Sequence, residues 1–220
     1  MPHDRPPFFG LLKRRTCLCP TWRGWAMAAL IVITLVAAGV RRVQPFLAVN
    51  APVHGGVLVV EGWMPDYGLE EVLTEVRRSA YSALYVTGGP IEHGEPLSGY
   101  KTYAELGAAT LGKLGATTLP PQAVPAGEVI KDRTYFSAVA LRDWLQAHGA
   151  MPKKITLVSL GVHSRRSRLL FEKAFGPEVE IGIIAVPDHG YDARHWWSSS
   201  QGFRVVTDEL IGYLYARFVF

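Results

Sequence analysis

The first regular pattern in the chain is an uncharged apolar run, Gly24 to Val40, reading GWAMAALIVITLVAAGV between Arg23 and Arg41-Arg42. It reaches the short end of what a membrane-spanning helix needs and is longer than a typical signal-peptide core, and its flanking arginines can snorkel towards the headgroups. Residues 41–54 carry Pro45 and Pro52 without sustained periodicity and read as a linker. Beyond Gly55-Gly56 short β-branched runs alternate with helical stripes. VLVVEGW predicts a buried strand, and Leu69, Val72, Leu73 and Val76 recur at helical spacing. Ala83 to Thr87 is a second strand, ended by Gly88-Gly89-Pro90, and Tyr103, Gly107, Leu111 and Leu114 mark the next helix. The three prolines of 117–127 leave room for a short edge strand at most.

Asp132 as N-cap opens a helix with Thr134, Ala138, Leu141 and Leu145 on one face and Gly149 as its stop. Ile155 to Leu160 and Val179 to Val186 are two further strands, separated by a helix from Ser164 to Ala174. After an irregular stretch, 187–201, a last helix runs from about Phe203 to Phe218. Strands alternating with helices predict right-handed βαβ units, hence a three-layer α/β sandwich with a mainly parallel sheet over residues 55–220. Ligands of such sheets bind beyond the carboxyl ends of the strands. That rule selects Glu61 and Gly62, Thr87 to Gly89, and Gly161 to Arg166.

Charge sharpens the picture. The net +4 is misleading, because residues 1–42 hold seven Lys/Arg against Asp4 alone, while the rest holds 16 against 18 Asp/Glu. A nearly neutral domain lacks the broad basic face that nucleic acid requires. Five of the basic residues precede the apolar run and two follow it, so residues 1–23 read as a cytoplasmic tail and 24–40 as a signal anchor in the bacterial inner membrane, with the domain on the far side. Ala37-Ala38-Gly39 resembles a cleavage site, and Arg41-Arg42 directly after it favours retention over removal; a buried soluble helix is the third reading. Cys17 and Cys19 both precede the run, so the domain owes nothing to disulfides; palmitoylation or two plain thiols both fit.

No dinucleotide, P-loop, nucleophile-elbow or zinc-protease signature is present, and no motif names a cofactor. The segment Gly161-Val162-His163-Ser164-Arg165-Arg166-Ser167-Arg168 is the most informative. Three arginines in a first helical turn oppose the helix dipole, which calls for a compensating anion such as phosphate or carboxylate, or else they are solvated or pair with Glu172 and other acids of the chain. Arg166 shares a face with Leu170 and Ala174 and points along the sheet's end, whereas Arg165 and Arg168 fall on more exposed faces; Ser164 is a candidate cap. His163 is either an acid/base group or a partner of loop backbone, and Glu61, after four apolar residues, has the position of a site carboxylate. Thr87, Gly88 and Gly89 allow close approach of a ligand or form a plain turn. Asp66 and Asp132 are read first as caps, Asp132 and Thr134 also as ligand contacts, and the hydroxyls of Thr134 and Ser137 need partners. Asp188, His189, Asp192 and His195 are a chance grouping more than a metal site, and Trp196-Trp197 are expected to pack beneath their loop.

Four segments in order, VEGWMPD (60–66), VTGGP (86–90), DRTYFSAVALRDWL (132–145) and GVHSRRSRLLFEKAFG (161–176), resemble the SanA/ElyC/YdcF family of bacterial envelope proteins. His163 and Arg166 fall on the family's His-x-x-Arg element. In the third segment only Thr134 and Ala138 match the usual Asn-Thr-x-Glu-Asn-Ala, with Phe136 and Ser137 replacing the Glu-Asn pair. The resemblance implies a Rossmann-like fold, an envelope location and a link to peptidoglycan or lipid-carrier metabolism; one branch is described as binding S-adenosylmethionine. Three functions are carried forward. The first is an enzyme acting on an anionic, phosphorylated or lipid-linked substrate, with His163 and Glu61 as proton carriers. The others are a non-catalytic binder of a nucleotide-like or S-adenosylmethionine-like ligand, and a structural envelope factor.

Overall fold

A computed structural model describes residues 21–92 and 94–220, so Cys17, Cys19, His93 and nearly all of the basic tail lie outside the described residues. The chain divides into two compact units at Val40/Arg41. The described part of the first is the body of helix α1 (Trp22–Leu47), which is long and apolar enough to cross a membrane. Its 26 residues extend about 39 Å at the rise of an α-helix. The helix does not stop at Arg41, where a linker was expected. Pro45 costs one backbone bond near the helix end, and tertiary packing offsets it: Leu47 is fully buried and the Phe46 carbonyl accepts a bond from Arg165 Nε.

The second unit is an α/β domain. Its elements after α1 are β1 (Val57–Glu61), α2 (Asp66–Arg78), β2 (Leu84–Gly88), the short α3 (Glu95–Ser98), α4 (Tyr103–Lys113), β3 (Pro121–Pro125), α5 (Arg133–Ala147), β4 (Lys154–Leu160), α6 (Ser164–Phe175), β5 (Glu180–Val186) and α7 (Ser200–Phe218). The five strands lie in the order β3-β2-β1-β4-β5 and every pairing is parallel, which is a Rossmann-like sheet. Alternate residues of each strand face opposite layers, as the pleat requires. Val57, Val59, Ile155 and Leu157 pack with Leu141 and Leu145 of α5 and Phe171 of α6. Leu58, Val60 and Val158 pack with Leu69 and Val72 of α2 and Leu111 of α4. Central strands covered on both faces explain the unbroken apolar runs of β1 and β4.

The prolines of β3 are tolerated because it is an edge strand. At the other edge, residues 51–53 cover β5: Ala51 bridges Ile183, and Gly182 leaves no room for a side chain against Val53. Part of the expected linker is therefore built into the domain, protecting an otherwise open edge.

Candidate functional site

The chain leaves β1 towards β2 and β3 on one side and leaves β4 towards β5 on the other, so direction reverses between these two central strands. A crevice opens beyond their carboxyl ends at such a reversal. Here it is a cavity of about 650 Å³, lined by Glu61 and Trp63 after β1, Thr87 to Pro90 after β2, Lys131 to Thr134 and Ser137 at the start of α5, Leu160, Val162, His163 and Arg166 after β4, and Val205 and Glu209 of α7. Its size suits a small ligand.

Glu61 is 3 % exposed, and its carboxylate is held by two hydroxyls. Ser159 Oγ donates to Oε2, and Ser167 Oγ donates at 3.0 and 3.2 Å to the two oxygens. Both serines are fully buried, one at the end of β4 and the other on α6. Gly62 is required by packing, since a Cβ there would lie 2.2 Å from the Tyr103 carbonyl oxygen at the start of α4.

His163 ends a single 3₁₀ turn, Gly161–His163, that leads from β4 into α6. Its ring lies between two carboxylates. Nδ1 is 2.7 Å from Glu209 Oε1, and Nε2 is 3.8 Å from Glu61 Oε1. The edge of Trp63 packs on the ring with centroids 5.0 Å apart. Nε2 is shielded from solvent and has no hydrogen-bond partner.

Glu209 also receives Arg166, through Nε at 2.8 Å and Nη2 at 2.9 Å. Gly212, one turn further along α7, gives the guanidinium its space, since a Cβ there would sit 3.2 Å from Arg166 Nε. Burial opposes the charge on Glu209, but the hydrogen bonds that His163 and Arg166 donate, with the guanidinium charge, outweigh it and hold its carboxyl down at about 2. Burial likewise works against the charge on Arg166, and Glu209 reverses that, leaving its affinity for the proton raised.

An ionised carboxylate only accepts, so the short contact to Glu209 places a proton on His163 Nδ1. Arg166 Nη2, 3.0 Å from the same nitrogen, is then a close charge contact with no proton to share. A neutral ring with its proton on Nδ1 presents a bare lone pair at Nε2, the orientation a carboxylate gives a catalytic histidine.

The structure thus gathers eight of the residues selected from sequence around one cavity: Glu61, Thr87, Gly88, Gly89, Asp132, Thr134, His163 and Arg166. Gly62, Gly161, Ser164 and Arg165 do not line it. Ser164 is not a side-chain cap; its fully buried hydroxyl donates to the Gly161 carbonyl at 2.6 Å, because the 3₁₀ turn moves the start of the helical backbone upstream. Arg165 turns to Phe46, with its guanidinium 4.0 Å above the ring.

The expectation that the three arginines need an external anion is corrected by the protein's own groups. Glu209 pairs with Arg166, Glu172 with Arg168 at 2.8 Å, and the Phe46 carbonyl and ring with Arg165. Asp132 is also not a side-chain cap. It occupies the cap position in a left-handed conformation, φ 56°, with no capping bond. Asp tolerates that region better than most residues, and such strain recurs at ligand sites. The start of α5 is consequently uncapped at the cavity rim, beside Lys131 and Arg133, the latter paired with Glu92. Asp66 lies inside the first turn of α2, with Pro65 at the cap position, and bears on the helix dipole only.

Of the loop residues, Asp188 lines the cavity, His189 stacks on Tyr67, and Asp192 holds His195 at 2.8 Å. Trp196 is buried beneath its loop against Trp197 and Phe203. Reading the sequence missed Glu209, Ser159, Ser167 and Trp63. The available signal was in the strand-end rule, since Trp63 directly follows Gly62 and Ser167 directly follows Arg166, both positions that rule had selected. No family model, curated protein or solved structure matches the chain.

Proposed function

We propose that the domain is an enzyme using general acid–base chemistry on an anionic, membrane-borne substrate of the cell envelope, with α1 as an uncleaved anchor whose N-terminus stays in the cytoplasm. The observation that carries this reading is His163: its Nδ1 proton is fixed by an ionised Glu209, and its Nε2 is buried, unpaired and at the edge of a ligand-sized cavity. A buried polar atom without a partner is costly and calls for a purpose. Nε2 takes a proton from a water or substrate hydroxyl, the imidazolium is stabilised by Glu209, and the proton is returned to the leaving group. Glu61, 3.8 Å from Nε2, is the second carrier.

The anion is received at the rim by Lys131 and the uncapped start of α5, because Arg166 is engaged by Glu209 and Arg133 by Glu92. The resemblance of segments 60–66, 86–90, 132–145 and 161–176 to the SanA/ElyC/YdcF family supports the envelope setting.

A second reading rests on charge. Glu61, Glu92, Asp132, Asp188 and Glu209 outnumber Lys131, Arg133 and Arg166 around the cavity, which favours a ligand with a cationic centre, such as an S-adenosylmethionine-like sulfonium held without turnover. A thermal-shift and turnover screen of the full chain in detergent separates the two. The panel is sugar phosphates, short polyprenyl phosphates, nucleotides and S-adenosylmethionine. Consumption of a phosphorylated compound, lost in His163→Gln, supports the enzyme. Stabilisation by S-adenosylmethionine alone, kept in His163→Gln, supports the binder. The absence of both effects in a folded chain removes both readings.

A further inference from the structure

Helix α7 has two unlike halves on its outer face. Its inner face is conventional, with Val206 and Ala216 buried and Glu209 at the cavity. Outside, the first half presents Arg204, Thr207 and Asp208 with Phe203 beside them, a mixed surface. In the last two turns the outer face becomes apolar: Ile211 is 61 % exposed, Leu214 44 % and Phe218 79 %, with Tyr215 beside them. A contiguous patch of this kind is unusual on a water-facing surface.

From this placement we infer that the outer face of the last two turns of α7 is a membrane-docking surface that seats on the lipid headgroups and holds the cavity next to them. The inference rests on the anchor reading above. Three observations choose a lipid surface as the occupant. First, Tyr213 of α7 packs edge-on against Phe46, ring centroids 5.5 Å apart. Phe46 follows Arg41-Arg42, the charged end of the apolar run, by one helical turn, about 6 Å. The patch is therefore held by covalent connection close to where the chain leaves the bilayer.

Second, its fringe is basic. Arg165 stacks on Phe46, Lys173 lies 5.7 Å from the Phe220 ring, and Arg217 is exposed in the last turn. Apolar and aromatic side chains bordered by cations are the composition of a surface that dips into anionic headgroups. Third, that fringe disfavours a second copy of the chain, since a two-fold contact through the patch sets the same cations against themselves.

The consequence for the site follows from the helix itself. Glu209 and Ile211 lie on opposite faces of α7, so docking the outer face leaves the cavity about one helix diameter, about 10 Å, from the headgroups. The substrate class is then an amphiphile, whose polar head enters the cavity while its chain stays in the bilayer.

The test uses the full chain reconstituted in phosphatidylcholine vesicles, with and without phosphatidylglycerol. Each preparation contains a lipid with a photoactivated acyl-chain diazirine, and adducts are mapped by mass spectrometry. The expected result is adducts on the 24–40 span and on residues 211–220, the latter increasing with the anionic lipid. In Ile211→Glu/Phe218→Glu, the α7 adducts fall about tenfold relative to those on the span. Both positions are exposed, and an unchanged near-ultraviolet spectrum verifies that the fold persists. Adducts confined to the span, or α7 joined to α7 of another chain, overturn the docking surface and leave the anchor standing. Adducts on α7 without any on the span uphold docking and remove the anchor, and their absence from both removes both. The acid–base reading fails separately, in the ligand and turnover assays on His163→Gln, whatever the adduct map shows.

Discussion

Glu209→Gln keeps the shape of the side chain and removes the charge on which both His163 and Arg166 depend. The size of the effect follows from the carboxyl's displacement from 4.5 to about 2 in a site where its side chain is 16 % exposed. At 1.36 kcal/mol per unit this corresponds to about 3 kcal/mol of stability, within the range for breaking one partner of a buried pair. A folded-state value below the unfolded one means that the stabilisation is complete above about pH 4.5 and is lost as pH falls towards about 2. Melting of the full chain in detergent, followed by tryptophan fluorescence, measures it. At neutral pH the variant melts lower by about 10 °C, taking about 2–4 °C per kcal/mol for a domain of this size. The gap between wild type and variant then closes as pH falls through that window. Other carboxylates titrate there too, but they are common to both proteins and cancel in the difference. A deficit below about 1 kcal/mol, typical of a solvated ion pair, or one that does not change with pH, refutes the claim that Glu209 is a buried, ionised hub.

Three further outcomes follow from the same geometry. His163→Gln lowers turnover of any substrate found by about 10²–10⁴-fold with little change in melting, and unaltered kcat would remove the residue from the chemistry. Ser159→Ala and Ser167→Ala each cost about 2 kcal/mol in denaturant unfolding, with a non-additive double variant because both donate to Glu61; simple additivity would show that the hydroxyls act independently. Gly62→Ala destabilises by about 2–3 kcal/mol by forcing α4 away from β1, and a neutral effect there would contradict the close contact with Tyr103.

The central strands were legible because strands covered on both faces are apolar without interruption, and β3 was legible as an edge because its prolines allow nothing else. Strand ends then pointed to Glu61, Thr87 and His163. The rest of the site depends on α7, whose apolar residues occur on both faces, inward at Val206 and Ala216 and outward at Ile211 and Leu214. With no single stripe to orient the helix, Glu209 looked like any solvated acid, and only the docking of α7 against α6 brings it to Arg166, 43 residues earlier. Misreading Arg165 and Arg166 follows from the same gap, since Phe46 and Glu209 are distant in sequence, whereas Glu172 lies one helical turn from Arg168. Asp132 was misread because residue type suggests a cap whereas the left-handed backbone is set by the loop before α5.

The most direct test of the acid–base centre is the tautomer of His163, read from ring ¹⁵N shifts of the full chain in micelles with Glu209→Gln as reference. The proton on Nδ1 and a bare Nε2, with the preference weakened in Glu209→Gln, is the predicted result. A proton on Nε2, leaving Nδ1 to accept from Arg166, would contradict it, because Nε2 would then have no lone pair to take up a proton.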